Sequence, residues 1–128
     1  MSVVSEIGSQ LQSAGVGTVG TNLFEGLLPE SPAEAVAVLE HTGLTPIRTS
    51  GRVAVERPSV EILVRHTDYE SGYTKAKAVR TALQNFTGTI LGVRYLEVTM
   101  AGSIYVLGTD ELRRFLFALH FKIMKEPS

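Results

Sequence analysis

The hydrophobic rhythm of the chain changes period several times, and each change marks an element. Val4, Ile7, Leu11 and Ala14 recur at helical spacing behind Ser2, a residue type that caps helix starts. This predicts a short amphipathic helix over residues 2–14, stopped by Gly15. Thr21 to Leu28 (TNLFEGLL) reads as a strand closed by Pro29 and Pro32. In AEAVAVLEHTG, alanine and glutamate favour helix. Ala35, Ala37 and Leu39 nevertheless alternate with Val36, Val38 and Glu40, which predicts a strand. Residues 44–58 carry turn residues at both ends and Ser50–Gly51 in the middle, between the β-prone pieces Pro46–Thr49 and Arg52–Glu56. That pattern fits a protruding hairpin or a mobile loop.

The centre of the chain switches from period two to period 3.6. Val60, Ile62 and Val64 alternate with Glu61, Leu63 and Arg65, as in a strand with one buried face. From Tyr69 onward, Tyr73, Ala76, Val79, Leu83 and Phe86 fall on one helical stripe, with Lys75, Lys77, Arg80 and Gln84 on other faces. Asp68 stands where an N-cap belongs, and Glu70 suits the positive end of the helix dipole. Arg94 to Ala101 is a further strand, and SIYVLGTDELR after it reads as a bend or short turn. In the last segment Phe115, Phe117, Leu119, Phe121 and Ile123 point one way, the clearest strand of the chain. The resulting fold class is α+β: a mixed, largely antiparallel sheet of about four to five strands packed with two helices, in one domain over residues 1–128.

Composition narrows the chemistry. The 128-residue chain contains no cysteine, which removes disulfides, thiol catalysis and thiolate metal sites. Twelve basic against thirteen acidic side chains give a formal charge of −1, without the basic surplus of a protein that grips nucleic acid through its phosphates. The N-terminus lacks the basic start and apolar core of a signal peptide, and no apolar run approaches the ~20 residues of a membrane span. The expectation is a soluble intracellular product, or one that leaves the cell as part of something larger, with no membrane partner.

Several motifs resemble sites and are better explained as structure. Gly15–Val16–Gly17–Thr18–Val19–Gly20 spells G-x-G-x-x-G, but it follows a helix and leads into a strand, the reverse of a dinucleotide-binding turn. His41, His66 and His120 fall on three separate strands, without a carboxylate pair at a helical ligand spacing. His66, Asp68 and Glu70 form the nearest approach to an acid–base cluster, yet Asp68 already serves as a cap and no nucleophile is nearby. No catalytic residue, cofactor site or metal-ligand set is therefore predicted. The interaction candidates are the 44–58 segment, with Ile47, Val53 and Val55 beside Arg48, Arg52 and Arg57, and the helix face of Lys75, Lys77 and Arg80. A mixed apolar and basic loop suits contact with a protein.

The succession of elements resembles the tail terminator proteins of long non-contractile-tailed bacteriophages, often grouped as phage minor capsid proteins. Asn22–Leu23–Phe24, LLPESP and AVAVLEHTG are similar to that family's second and third elements. RPSVEILVRHTDYESGYTKAKAVRTALQN is similar to its central strand, Arg–x–x–Asp–Tyr corner and following helix. Val106–Leu107–Gly108–Thr109–Asp110–Glu111, with Arg113 and Arg114, resembles the bend before its last strand, and FALHFKIMKE resembles that strand. His120 departs from the asparagine expected there. The resemblance implies a non-enzymatic virion protein of the tail and neck, assembled in the host cytoplasm. It implies a homo-oligomer, a hexameric ring on the head-proximal end of the tail tube. The ring would stop polymerisation and meet the head's connector or stopper protein, with DNA only as passing cargo in the channel. A ring of identical subunits needs two different matching patches, placed on the 47–56 loop and around Lys75–Arg80. The rival readings are another neck or head-completion component, or a small dimeric ligand-binding α+β domain.

Overall fold

Ser2 starts the first helix with a reciprocal cap. Its hydroxyl accepts from the Ser5 N–H at 3.2 Å, and the Ser5 hydroxyl accepts from the Ser2 N–H at 3.1 Å. The helix, α1 (Val3–Ser13), turns Ile7 and Leu11 wholly inward and ends ahead of Gly15, whose φ of 81° is the left-handed conformation of a helix stop. The structure, a computed structural model, describes residues 2–127. After α1 come strands β1 (Leu23–Glu25), β2 (Ala35–Thr49) and β3 (Arg52–His66), then helix α2 (Tyr69–Leu83). Strands β4 (Gly88–Ile90), β5 (Val93–Met100), β6 (Tyr105–Thr109) and β7 (Phe115–Lys125) complete the chain.

The strands form one sheet in the order β1-β2-β3-β7-β5-β4, with β6 pairing β7 beyond the end of β5. Among the named strands, β1 and β2 run parallel and the other pairings are antiparallel. Register places Val36 opposite Val64 and Val64 opposite Phe117. Val38, Ile62 and Leu119 form the next row. Side chains in one row project to the same side of a pleated sheet, so these rows make a continuous apolar floor. Both helices pack on it, and Ala76, Val79 and Leu83 of α2 are fully buried there. Each large apolar side chain so buried contributes about 1.5–3 kcal/mol. Helix α2 comes close because Gly72 has no side chain. A Cβ there would lie 2.5 Å from Phe117 Cε1 and 2.9 Å from His66 Cβ.

Among the described residues the sheet has seven strands, more than the four or five expected. The Gly88–Ile90 strand is only three residues long and has no readable period. The segment read as a bend contains β6, whose five residues are all exposed and so show no buried alternation. The strand expected over Thr21–Leu28 shortens to Leu23–Glu25, because Gly26 turns the chain at φ 94°. The ambiguous AEAVAVLEHTG is strand, since β3 pairs with it from Ala35 through His41 and overrides helix propensity. Phe86 lies beyond the end of α2, past Asn85 at φ 63°, and still packs against the core.

Residues 44–58 form the distal parts of β2 and β3, joined by the Ser50–Gly51 turn. This arm runs past the last pairing with β7, at Glu56–Lys125. Register shifts put an extra residue on β2 between His41 and Leu44 and between Leu44 and Ile47, and one on β3 at Ala54, between the partners of Ile47 and Arg48. Such bulges bend and twist a ribbon. Gly43 is required at the first, because a Cβ there would meet the Arg57 carbonyl oxygen at 2.5 Å and Pro58 Cα at 2.8 Å.

Candidate functional site

The strand-to-helix corner brings His66 and Asp68 together, and its hydrogen bonds explain what they do; Glu70 is exposed in the first turn of α2. Asp68 Oδ2 accepts from the Ser71 N–H at 2.9 Å and from the Ser71 hydroxyl at 2.7 Å, capping α2. The Asp68 N–H in turn donates to His66 Nδ1 at 3.0 Å, while His66 Nε2 lies 3.5 Å from Glu34 Oε2. The adjoining cavity measures about 70 Å³, well below the size of a small-molecule pocket. The corner fixes the helix start.

Two buried arginines complete the corner, and hydrophobic patterning did not point to them as buried groups. Arg65 lies on the sheet face away from the helices. It donates from Nε to the Ala33 carbonyl at 3.2 Å and from Nη2 to the Pro32 carbonyl at 2.6 Å. Arg114 donates to Asp110 Oδ2 at 2.8 Å and also to the Glu30 carbonyl. Together they clamp the 30–33 turn, which contains the cis Ser31–Pro32 peptide, against the ends of β3 and β7. Their signal in the sequence was the Arg–x–x–Asp–Tyr motif and the Asp110–Arg114 spacing, both quoted for the resemblance.

The Ser71 hydroxyl, then the Ser71 N–H, hold the Asp68 carboxyl below its ordinary value. The Arg114 backbone N–H is the main cause of the same shift at Asp110. A carboxylate with a depressed folded value stabilises the fold above its unfolded value, roughly 3.9 for Asp, and loses that contribution as pH falls through the folded value. Asp68→Ala is therefore expected to lower the thermal midpoint at neutral pH by roughly a few degrees. It should also flatten the decline below about pH 4. Melting curves over an acid pH series check both, and a variant that matches the parent at every pH contradicts the cap.

Of the three histidines, His66 lies at one end of β3. His41 and His120 meet towards the other end, with rings stacked 4.9 Å apart and 6° from parallel. His120 Nε2 sits 2.6 Å from Glu61 Oε2. Among the described residues, no group of three or more histidine, aspartate or glutamate side chains could hold a metal ion.

The arm carries the first set of interaction candidates. Ile47 is 39% exposed and Leu44 60%; Arg48 and Arg52 are exposed, and Val53 and Val55 are half-buried. Arg57 is turned inward to the ribbon, donating from Nε to the Thr45 carbonyl at 2.8 Å. A groove of about 540 Å³ runs along the arm's root, lined by Glu40, Leu44, Arg57 and the start of α1. The other candidates divide. Lys75 donates from Nζ to the Val16 carbonyl at 2.9 Å, tying α2 to the turn after α1. Lys77 lies over the Tyr73 ring at 5.0 Å and is exposed, and Arg80 is half-buried in the last turn of α2.

A compact sheet-and-helix body bearing a two-stranded arm can be compared with known proteins. A solved chain described as "Virion of native gene transfer agent (GTA) particle" has a similar fold, with a TM-score of 0.68 at 15% identity; the match covers 98% of this chain and 95% of that one. A search of curated protein sequences finds no match. The family model described as "Bacteriophage tail terminator protein" matches residues 10–127, nearly the whole length. The chain belongs to the bacteriophage tail terminator proteins.

Proposed function

We propose that this structural tail protein caps the head-proximal end of the phage tail tube as a ring of six copies. The ring stops tail polymerisation and joins the tail to the head's connector or stopper protein, with DNA passing through its centre as cargo. The observation that carries this reading is the arm. It projects Ile47, Arg48, Arg52, Val53 and Val55 beyond the folded body, where exposed apolar side chains gain by meeting another protein. The Lys75, Lys77 and Arg80 face of α2 is a second contact surface. It carries the same sign of charge as the arm, so the two meet different partners rather than each other.

Arg52→Glu combined with Val53→Asp tests the assignment. Both positions lie beyond the last pairing with β7, so the variant is expected to keep its thermal midpoint while losing the ability to cap tails and support joining to heads. Electron microscopy of the resulting tails, with a joining assay, reads the effect. Normal tails and normal joining would remove the arm from the interface. Native mass across a concentration series, with negative-stain images of the most concentrated sample, tests the ring itself. A closed annulus supports it, and a stable dimer contradicts it.

A further inference from the structure

The ring reading leaves open what receives the arm. We infer that the arm of one copy docks on the β6 end of the next copy, adding the Arg52–Val55 strand to the free edge of β6. This inference rests on the ring proposed above and assigns its second patch.

Exposed apolar side chains are concentrated at that end of the molecule. Tyr105 (62% exposed) and Leu107 (50%) lie on β6, Leu112 (59%) follows it, and Leu27 (61%) belongs to the neighbouring 26–34 segment. Arg114 links the two segments through Asp110 and the Glu30 carbonyl, so the turn at Glu30 lies beside the end of β6. Strand β6 pairs only with β7, leaving its other edge without a strand among the described residues. Natural edges are usually blunted by lysine, proline or a covering segment. β6 reads Tyr-Val-Leu-Gly-Thr and has no charged or proline residue, so its edge is open to an added strand.

The arm provides a strand of matching length. The β2 side of the arm is the poorer donor, because two bulges and Pro46 break it. The β3 side continues past Glu56, where its pairing with β7 ends, carries a single bulge at Ala54, and leaves Arg52 to Val55 unpaired on that edge. Four residues there face five in β6. The charges agree. The arm exposes Arg48 and Arg52, whereas the β6 end exposes Glu30, Glu34 and Glu111 against a single exposed base, Arg113. The two surfaces also lie at opposite ends of the sheet. The arm leaves at the Ser50–Gly51 turn, and Thr109 pairs with Phe115, beside His66 at the far end of β3. A donor at one end and an acceptor at the other repeat in one sense from copy to copy, and close into a ring when each step rotates.

The absence of cysteine makes a direct test simple. Ala54→Cys and Tyr105→Cys are placed in one chain and bridged with a short bis-maleimide. Ala54→Cys with Lys77→Cys is the control, and native mass is recorded on each sample before bridging. The arm–β6 pair is expected to give a ladder of covalent multimers, and the control pair only monomer. Arg52→Glu should weaken self-association several-fold, and Glu111→Arg in the same chain should restore it. Multimers in native mass with no ladder from the arm–β6 pair would overturn this acceptor and leave the ring standing. A sample that stays monomeric at every concentration and gives no ladder would overturn both.

Discussion

Replacing Lys125 with alanine is expected to cost about 3–5 kcal/mol, because it leaves a charge buried without its partner. Lys125 Nζ lies 3.1 Å from Glu6 Oε1 and 3.1 Å from Glu56 Oε1. The Glu6 side chain is wholly buried, and Glu6 Oε1 also accepts from the Tyr95 hydroxyl at 2.7 Å. Burial, reinforced by that hydrogen bond, pushes the Tyr95 hydroxyl well above its ordinary value, so it acts there as a donor. The cluster joins α1, β5 and β7 to Glu56 at the root of the arm. Its loss would loosen the arm as well as the body. Denaturant unfolding measures the stability, and hydrogen exchange over residues 52–58 reports on the root. Lys125→Met with Glu6→Gln removes both charges and should recover much of the loss. A loss below about 1 kcal/mol for Lys125→Ala would show that water replaces the ion pair, as at an exposed salt bridge.

Phe117→Ala is expected to cost a similar amount, about 3–5 kcal/mol, a large share of the ~5–15 kcal/mol that holds such a domain. Phe117 is fully buried in the row with Val64, and its ring meets Tyr69 at 5.4 Å and Tyr73 at 6.2 Å. It is also the side chain against which Gly72 lets α2 settle. The cavity would open under the first turns of α2, next to the Asp68 cap. The helix start should then lose exchange protection before the β2–β3 pairing does. Phe117→Leu fills more of the space and should cost clearly less. Equal losses for both variants would place the energy in ring contacts rather than in filled volume.

Much of this fold was legible because its core follows simple periods. The last strand, the Val60–Val64 strand and both helices bury one face each. Burial of one face imposes period two or 3.6 on the sequence, and Ser2 and Asp68 mark the helix starts. The family was legible in the same way, from an ordered succession of motifs. β4 and β6 were not, because a strand held by backbone pairing at an edge leaves no pattern in its side chains. Nor was the burial of Glu6, Arg65, Arg114 and Lys125, since a charged side chain reads as exposed until its partner is known.

The sequence by itself therefore determined which residues form the apolar floor, where the helices begin, and that no thiol chemistry is available. It could name the 44–58 residues as a contact surface, but not the surface that would receive them. Tertiary structure decided that Lys125 meets Glu6, more than a hundred residues away in the chain, and that β6 and the 26–34 segment share one end of the molecule. Periodicity records which way a side chain faces along its own element. Which distant group it faces depends on strand order and register, which no single segment contains.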